Sequence, residues 1–326
     1  MLSIKRLLQG EPSPKENRTL SMKKNICVII FLVIVLPLIS IFSYQKVLDF
    51  KKFAYLRILS EKRKAAWGEF KGQIISEINK FKGDAGIVIK DLESGWEFAY
   101  QKDKLFPAAS LSKIPIMAAA FLAAEEGKIS LDKQVGLKNS DKLTGSGILK
   151  NMPSGTEFNV ERLIGLMIYD SDNTATNMLT NLLGMDYLNK SFKEFSLKNT
   201  DLLRKIADYK SRSKGLENYT TSEDMASLLE RIYSKKLISK KLSERCIGVL
   251  KLTRHNDRIP KYLPEDLMVA HKTGLERNVC HDVGIVFTPR GDFIICVLTQ
   301  HKNVSLGVAK EFIARLSLLT YNFYEK

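Results

Sequence analysis

Ser110 and Lys113 are two residues of this 326-residue chain whose types and spacing suggest chemistry, and they lie in the segment FPAASLSK. Residues three apart on a helix share a face, so a helical segment would place the lysine amine beside the serine hydroxyl. A serine hydroxyl is a weak nucleophile until a neighbour takes its proton. A lysine amine takes a proton where burial or nearby positive charge lowers its pKa. The pair therefore predicts a serine nucleophile with a lysine partner.

The S-x-x-K spacing is not informative alone, because the chain contains it four more times, at Ser21/Lys24, Ser43/Lys46, Ser130/Lys133 and Ser211/Lys214. Two later tripeptides distinguish the pair at Ser110. S-D-N stands at residues 171–173 and K-T-G at residues 272–274. Together with S-x-x-K they form a known set for acyl transfer through a serine. We therefore expect these three distant segments to meet in one pocket.

The chain resembles the class A β-lactamase and penicillin-binding-protein superfamily, from about Trp67 to the C-terminus. The resemblance lies in the segments FPAASLSKIPIM, LIGLMIYDSDNTATNML and MVAHKTG and in the strand pair GIVFTPRGDFIICVL. It implies that Ser110 attacks the carbonyl of a β-lactam or a D-alanyl peptide. It also implies that Lys113 takes part in activating Ser110, and that Ser171 relays a proton to the departing nitrogen.

The resemblance implies a substrate-binding set as well. Asn173 would hold the side-chain amide of the substrate and help to orient the S-x-x-K lysine. Lys272 and Thr273 would bind the substrate carboxylate, and Gly274 would let the strand edge approach the ligand closely. The backbone N–H groups of Leu275 and of the nucleophile would form the oxyanion hole, which stabilises charge that develops in the transition state. Within S-D-N, the middle aspartate is expected to cap a helix.

The chain departs from the family pattern where the deacylating base is expected. A typical class A β-lactamase carries a glutamate in an E-x-x-L-N loop, and residues 202–225 contain no such sequence. Asp208 and Glu217 are the carboxylates that remain as candidates, and either or neither would be the base. A missing base would leave acylation possible and make deacylation slow.

An uncharged stretch of 18 residues, from Ile26 to Ser43, is long enough to cross a bilayer as a helix. We expect an uncleaved anchor rather than a signal peptide, because no small-x-small site follows. Five positive residues precede the stretch in residues 6–25 and seven follow it in residues 45–64, which would place the C-terminal side in the cytoplasm. The chemistry needs an external substrate, so we expect the opposite orientation, with the catalytic domain outside a bacterial cytoplasmic membrane.

The rest of the chain predicts an α/β (α+β) fold. Strand-like runs at residues 86–90 and 96–100 form a hairpin, and further strands are expected at 267–270, 283–288 and 293–299. The residues between them are mostly helical. We expect an antiparallel sheet built from both ends of the domain and flanked by helices, plus an all-α subdomain. The predicted divisions are a tail (1–25), the anchor (26–44), a basic stalk (45–66) and the catalytic domain (67–326).

Composition restricts the partners. The net charge of +15 is spread along the chain, and no nucleic-acid-binding motif accompanies it, so we expect no nucleic-acid partner. The four cysteines show no C-x-x-C spacing, so we predict neither a metal site nor a cofactor. A monomer acting on a β-lactam or a peptidoglycan stem peptide is expected. The alternatives to a β-lactamase are a D-alanyl-D-alanine peptidase and a membrane-bound penicillin sensor.

Overall fold

The computed structural model describes residues 31, 36–302 and 304–325. The chain divides into two compact units, Met1–Trp67 and Gly68–Lys326. Helix α1, Leu36–Lys80, begins in the first unit and ends in the second. The predicted tail 1–25 and residues 26–30 and 32–35 of the predicted anchor lie outside the described residues. Within the described part of the chain, no helix has both the length and the apolar character of a membrane span.

A five-stranded antiparallel sheet forms the centre of the second unit, with strand order β2-β1-β9-β8-β7. Its strands are β1 (Asp84–Asp91), β2 (Glu97–Tyr100), β7 (Met268–Glu276), β8 (Val279–Phe287) and β9 (Phe293–Gln300). The first and last strands of the domain pair along their whole length, so the predicted sheet from both ends is confirmed. Strand β7 lies at one edge of the sheet and carries the K-T-G segment within it.

Side chains of successive strand residues point to opposite faces, and each face of this sheet is covered. On β9, Ile294, Cys296 and Leu298 join the large apolar core shared with the helices. Phe293 stacks instead on Tyr324 of the C-terminal helix, with ring centroids 5.0 Å apart. Burial on both faces explains why β8 and β9 read as nearly continuous apolar runs.

Helices supply the other layer of the fold: α2 (Lys113–Glu125), α3 (Val160–Tyr169), α4 (Asn173–Leu183), α5 (Met185–Glu194), α6 (Tyr209–Ser213), α7 (Ser222–Tyr233), α8 (Lys240–Leu250) and α9 (Leu306–Glu325). Helix α2 is buried over most of its circumference, as expected for a helix that is apolar all round. Side chains cap α3, α7 and α8 through Asn159, Thr221 and Ser239. The predicted all-α subdomain beside the sheet is confirmed.

Two short antiparallel pairs lie outside the five-stranded sheet. Strand β3 (Phe106–Pro107) pairs with β6 (Tyr219–Thr220), and β4 (Gln134–Gly136) pairs with β5 (Glu157–Asn159). The first pair lies just before the S-x-x-K segment in the chain. It therefore holds the start of that segment against residues that are more than 100 positions later.

Because β7 lies close to β8, we expect alanine substitutions at two glycines to change the stability of the protein in opposite directions. A Cβ at Gly284 would lie 2.6 Å from the Cβ of His271 and 2.9 Å from the carbonyl oxygen of Ala270. Gly284→Ala is therefore expected to lower the free energy of unfolding by about 1–3 kcal/mol. Gly248→Ala in α8, where the Cβ would meet open space, is the control and is expected to raise it by up to ~1 kcal/mol. Urea unfolding followed by circular dichroism measures both, and equal effects would contradict the packing described.

Candidate active site

The S-x-x-K segment forms the turn that enters α2. A 3-10 helix, Ala109–Ser112, runs directly into α2, whose first residue is Lys113. Ser110 is partly exposed, whereas its two neighbours are buried. Ala109 has a φ of +46°, a left-handed conformation that costs a residue other than glycine about 1–3 kcal/mol. The backbone is thus strained one residue before the predicted nucleophile, and that strain persists only because the surrounding structure holds it.

The S-D-N segment forms the turn between α3 and α4. Ser171 has a φ of +53°. Asp172 is the N-cap of α4, and its carboxylate accepts hydrogen bonds from the N–H groups of Ala175, Ile148 and Leu149 at 2.9, 2.7 and 2.9 Å. The carboxylate is completely buried. The expected capping role of this aspartate is therefore present, and the same carboxylate also holds the loop before residue 150.

That loop lies against the S-D-N turn because it contains glycines. Gly145 and Gly147 have φ values of +93° and +104°. A Cβ at Gly147 would overlap Asp172, and one at Gly145 would lie 2.7 Å from the Asn173 side-chain nitrogen. The Asn173 amide donates to the carbonyl of Thr144 at 2.9 Å. These contacts direct the Asn173 carbonyl oxygen away from the loop and toward Lys113.

Lys113 is buried, and its Nζ atom makes three polar contacts. It lies 2.5 Å from the carbonyl oxygen of Ser171, 3.1 Å from Ser171 Oγ and 2.9 Å from Asn173 Oδ1. Burial, followed by the positive charge of Lys272, holds the pKa of the Lys113 amine well below its usual value, and Asp172 opposes this shift. A lowered pKa leaves the amine unprotonated in a larger fraction of molecules, and only an unprotonated amine can accept a proton.

Lys272 reaches the same hydroxyl from the sheet. Its Nζ atom donates to Ser171 Oγ at 3.0 Å and to the carbonyl of Thr273 at 2.8 Å. Burial lowers the pKa of Lys272 to about 7; the charge of Asp282 acts against this shift, and that of Arg258 adds to it. Two lysine amines therefore converge on one serine hydroxyl. The repulsion between them favours a state in which only one carries a charge.

Strand β7 approaches the S-x-x-K turn through Gly274. A Cβ there would lie 3.3 Å from Leu111 and 3.1 Å from the ring of His281, so the strand edge lies close to the turn that carries Ser110. Thr273 is nearly buried, whereas Leu275 is 46% exposed. Lys272, Thr273 and Leu275 thus lie on one strand, next to the turn that carries Ser110.

His281 also holds the nucleophile turn, and the sequence did not indicate this role. It is fully buried on β8, and its Nε2 atom lies 2.9 Å from the carbonyl oxygen of Pro107. Its Nδ1 atom accepts a hydrogen bond from the Thr299 N–H. This acceptor role leaves Nε2 as the protonated nitrogen of a neutral ring. Burial lowers the pKa of His281 to about 4, so the ring stays neutral and fixes the strand before Ser110.

The two candidate deacylation bases already have partners. Asp208 caps the short helix α6 and accepts from both the N–H and the hydroxyl of Ser211, which lower its pKa. Glu217 accepts from Arg204 Nη2 at 2.6 Å and pairs with Arg212 Nε at 2.7 Å. Hydrogen bonds to cations stabilise the charged form of a carboxylate. The oxygens of both candidate bases are therefore engaged, by arginines in one case and by Ser211 in the other.

Comparison with known proteins agrees with this geometry. The family model for the Beta-lactamase enzyme family matches residues 69–324. Beta-lactamase VEB-1 of Pseudomonas aeruginosa is 27% identical over 258 residues, which cover 73% of this chain and 85% of that protein. The structure of a beta-lactamase from Sphaerobacter thermophilus DSM 20745 is 28% identical, with a TM-score of 0.73, and covers 79% of this chain and 98% of that one.

The structure of PBP-A is similar to the same extent, at 29% identity and a TM-score of 0.72, with 79% of this chain and 96% of that chain covered. A variant of PBP-A has been solved as an acyl-enzyme complex with penicillin G. The matched region contains all three motif segments and the strands and helices that position them. The chain therefore belongs to the Beta-lactamase enzyme family, and the serine hydrolase expected from its motifs is confirmed.

Proposed function

We propose that this protein opens β-lactam rings through an acyl-enzyme formed on Ser110. The observation that carries the proposal is the convergence of the Lys113 and Lys272 amines on the Ser171 hydroxyl, beside the turn that presents Ser110. This arrangement supplies a nucleophile, a base of lowered pKa and a proton relay without a histidine. The beta-lactamases among its relatives support the β-lactam as the substrate class.

In acylation, the neutral Lys113 amine takes the Ser110 proton as the serine oxygen attacks the β-lactam carbonyl. Asn173 and the carbonyl of Ser171 hold that amine in place, since each lies within 3 Å of its nitrogen. The N–H groups of Ser110 and Leu275 donate hydrogen bonds to the carbonyl oxygen and stabilise the negative charge that develops on it. The strained backbone at Ala109 presents the hydroxyl and the N–H of the next residue in a fixed orientation.

Ser171 completes the acylation step. When the C–N bond of the ring breaks, its nitrogen needs a proton. The Ser171 hydroxyl gives that proton and recovers one from the lysines that flank it at 3.1 and 3.0 Å. The proton taken from the nucleophile thereby reaches the leaving nitrogen through Lys113 and then Ser171, whose polar atoms are in contact.

Lys272 and Thr273 bind the substrate carboxylate in this proposal. A carboxylate beside Lys272 favours the charged form of the amine and raises its pKa. Substrate binding therefore assigns the charge to Lys272 and, by repulsion, keeps Lys113 neutral. The binding contact and the base are coupled through the one hydroxyl that they share.

In this proposal, deacylation of Ser110 is slower than its acylation. Glu217 and Asp208 stay the candidates for the base that activates water. Their present partners, two arginines in one case and Ser211 in the other, compete with water for the carboxylate oxygens that a general base would use. We therefore expect β-lactam hydrolysis in which the acyl-enzyme accumulates.

The division of the chain and its location form a further part of the proposal. We propose that residues 26–44 anchor the chain in a bacterial cytoplasmic membrane, that residues 45–66 form a basic stalk, and that the catalytic domain, 67–326, lies outside. The uncharged stretch from Ile26 to Ser43 supports the anchor, and the external location of β-lactam substrates supports the orientation.

The assignment of the nucleophile is tested by covalent labelling. Ser110→Ala is expected to abolish labelling by a fluorescent penicillin, because it removes the hydroxyl that would form the acyl bond. Ser112→Ala is the matched control and is expected to retain labelling, since the Ser112 hydroxyl is buried and donates to the carbonyl of Ala109. Gel fluorescence and intact-protein mass measure the adduct. An adduct of unchanged stoichiometry on Ser110→Ala would refute the assignment.

The pKa of Lys272 predicts the alkaline side of the pH profile. Since that pKa is about 7 in the free protein, and since only the charged amine pairs with a carboxylate, kcat/KM for a penicillin is expected to fall above pH 7, by about tenfold per pH unit. The corresponding fall in kcat is expected at higher pH. Lys272→Arg keeps its charge throughout, so its residual kcat/KM is expected to lack the fall. An identical alkaline limb in this variant would exclude Lys272 as the titrating group.

The anchor is tested by extraction of membranes. The full chain is expected to remain in the membrane pellet after alkaline carbonate extraction, because an apolar helix is not released by removing electrostatic contacts. A variant lacking residues 1–44 is expected in the supernatant. Recovery of the full chain in the supernatant would argue against the anchor.

A further inference from the structure

Glu276 lies two residues after the K-T-G segment, on the same face of β7 as Lys272 and Gly274. Alternate residues of a strand share a face, so Lys272, Gly274 and Glu276 follow one another along this edge strand. Lys272 reaches Ser171, and Gly274 abuts Leu111 in the nucleophile turn. Glu276 is the third member of the row, and its partners lie in the loop between α5 and β6.

The partners of Glu276 are two arginines that also hold Glu217. Arg212 Nη1 lies 2.8 Å from Glu276 Oε2, as an ion pair without the alignment of a hydrogen bond, and Arg204 Nη2 lies 3.7 Å from Glu276 Oε1. The same arginines contact Glu217 at 2.7 and 2.6 Å. We call these four residues, Arg204, Arg212, Glu217 and Glu276, the arginine–glutamate network. Its charges balance, two positive against two negative.

The loop that carries three members of this network is closed on itself and fastened to the nucleophile turn. Asn218 Oδ1 accepts from the N–H groups of Leu203 and Arg204, and its Nδ2 donates to the Arg204 carbonyl. The carbonyl of Asn218 accepts from the Ala108 N–H at 2.7 Å. One side of the loop is thus hydrogen-bonded to Ala108, two residues before Ser110. The other side is ion-paired with Glu276, the residue after Leu275.

We propose that Glu276 is a positioning residue, which acts through Arg212 and Arg204 to set the separation of the two oxyanion-hole N–H groups, those of Ser110 and Leu275. This inference rests on the proposed function. The loop contacts both chain segments that supply the donors. Among the described residues, β7 is the edge strand of its sheet, and no further strand holds its outer side. The arginine–glutamate network supplies that hold at the end of the strand.

Because the network is mostly buried, its stability depends on all four charges being present. The side chains of Arg204, Glu217 and Glu276 are 2%, 10% and 16% exposed. Removing one charge from such a set leaves its partner buried without compensation. The loop and the end of β7 would then separate to admit water. A displacement of about 1 Å at reacting groups lowers rates by roughly 100-fold.

Single-turnover acylation of the full chain by a chromogenic β-lactam tests this inference. Glu276→Gln and Arg212→Gln are each expected to lower the acylation rate constant about 10- to 100-fold. The dissociation constant of the initial complex is expected to stay within about twofold, because the oxyanion hole acts in the transition state. The double variant is expected to be no slower than the slower single variant, since both changes break the same network. Circular dichroism verifies that each variant is folded at the assay temperature.

Glu311→Gln is the matched control. Glu311 is also paired with two cations, Lys261 and Arg315, but it lies on α9, away from the site. Its acylation rate constant is expected to equal that of the unaltered chain. A wild-type rate in Glu276→Gln, a loss confined to the dissociation constant, or additive losses in the double variant would each overturn the inference. Failure of the unaltered chain to acylate would instead overturn the proposed function, and this inference with it.

Discussion

Two buried lysine amines that share one serine hydroxyl are the interaction on which the rest of this site depends. Lys113 and Lys272 approach Ser171 Oγ from a helix and from a strand. Two ammonium groups so close together in a buried site repel each other, and burial disfavours each charge further. Burial and repulsion therefore favour the neutral form of one lysine, which is the form that the proposed base needs. The proposed mechanism uses none of the four histidines of the chain.

Bringing the amines together requires unusual backbone at two points, and buried polar contacts hold both. Ala109 and Ser171 each adopt a positive φ, which neither side chain favours. Near Ser171, the Asp172 carboxylate uses three N–H groups to lock the turn. Near Ala109, His281 and Asn218 hold the residues on its N-terminal side. Strain next to the reacting groups is thus offset by hydrogen bonds that lie outside the reaction itself.

The parts of this structure that the sequence predicted are those with a local pattern. Helix α3 begins at the cap Asn159, within the region expected to be mostly helical, and the three motifs have short, recognisable sequences. The role of His281 has no such signal, because its partners are the backbones of Pro107 and Thr299. The pairing of Glu276 with Arg204 and Arg212 joins residues more than 60 positions apart in a loop without periodicity. Its one local clue was position, two residues after Gly274 and hence on the same face of the strand.

The position of β7 at the sheet edge explains why these distant contacts are needed. A substrate carbonyl must reach an N–H group that no neighbouring strand has taken, and an edge strand is the element that offers one. The same freedom leaves the outer side of the strand without a partner strand in the part of the chain that the structure describes. Lys272, Gly274 and Glu276 restore that constraint by an amine contact, a close approach and an ion pair to three different segments. The edge stays open to a ligand while its geometry is set from one face.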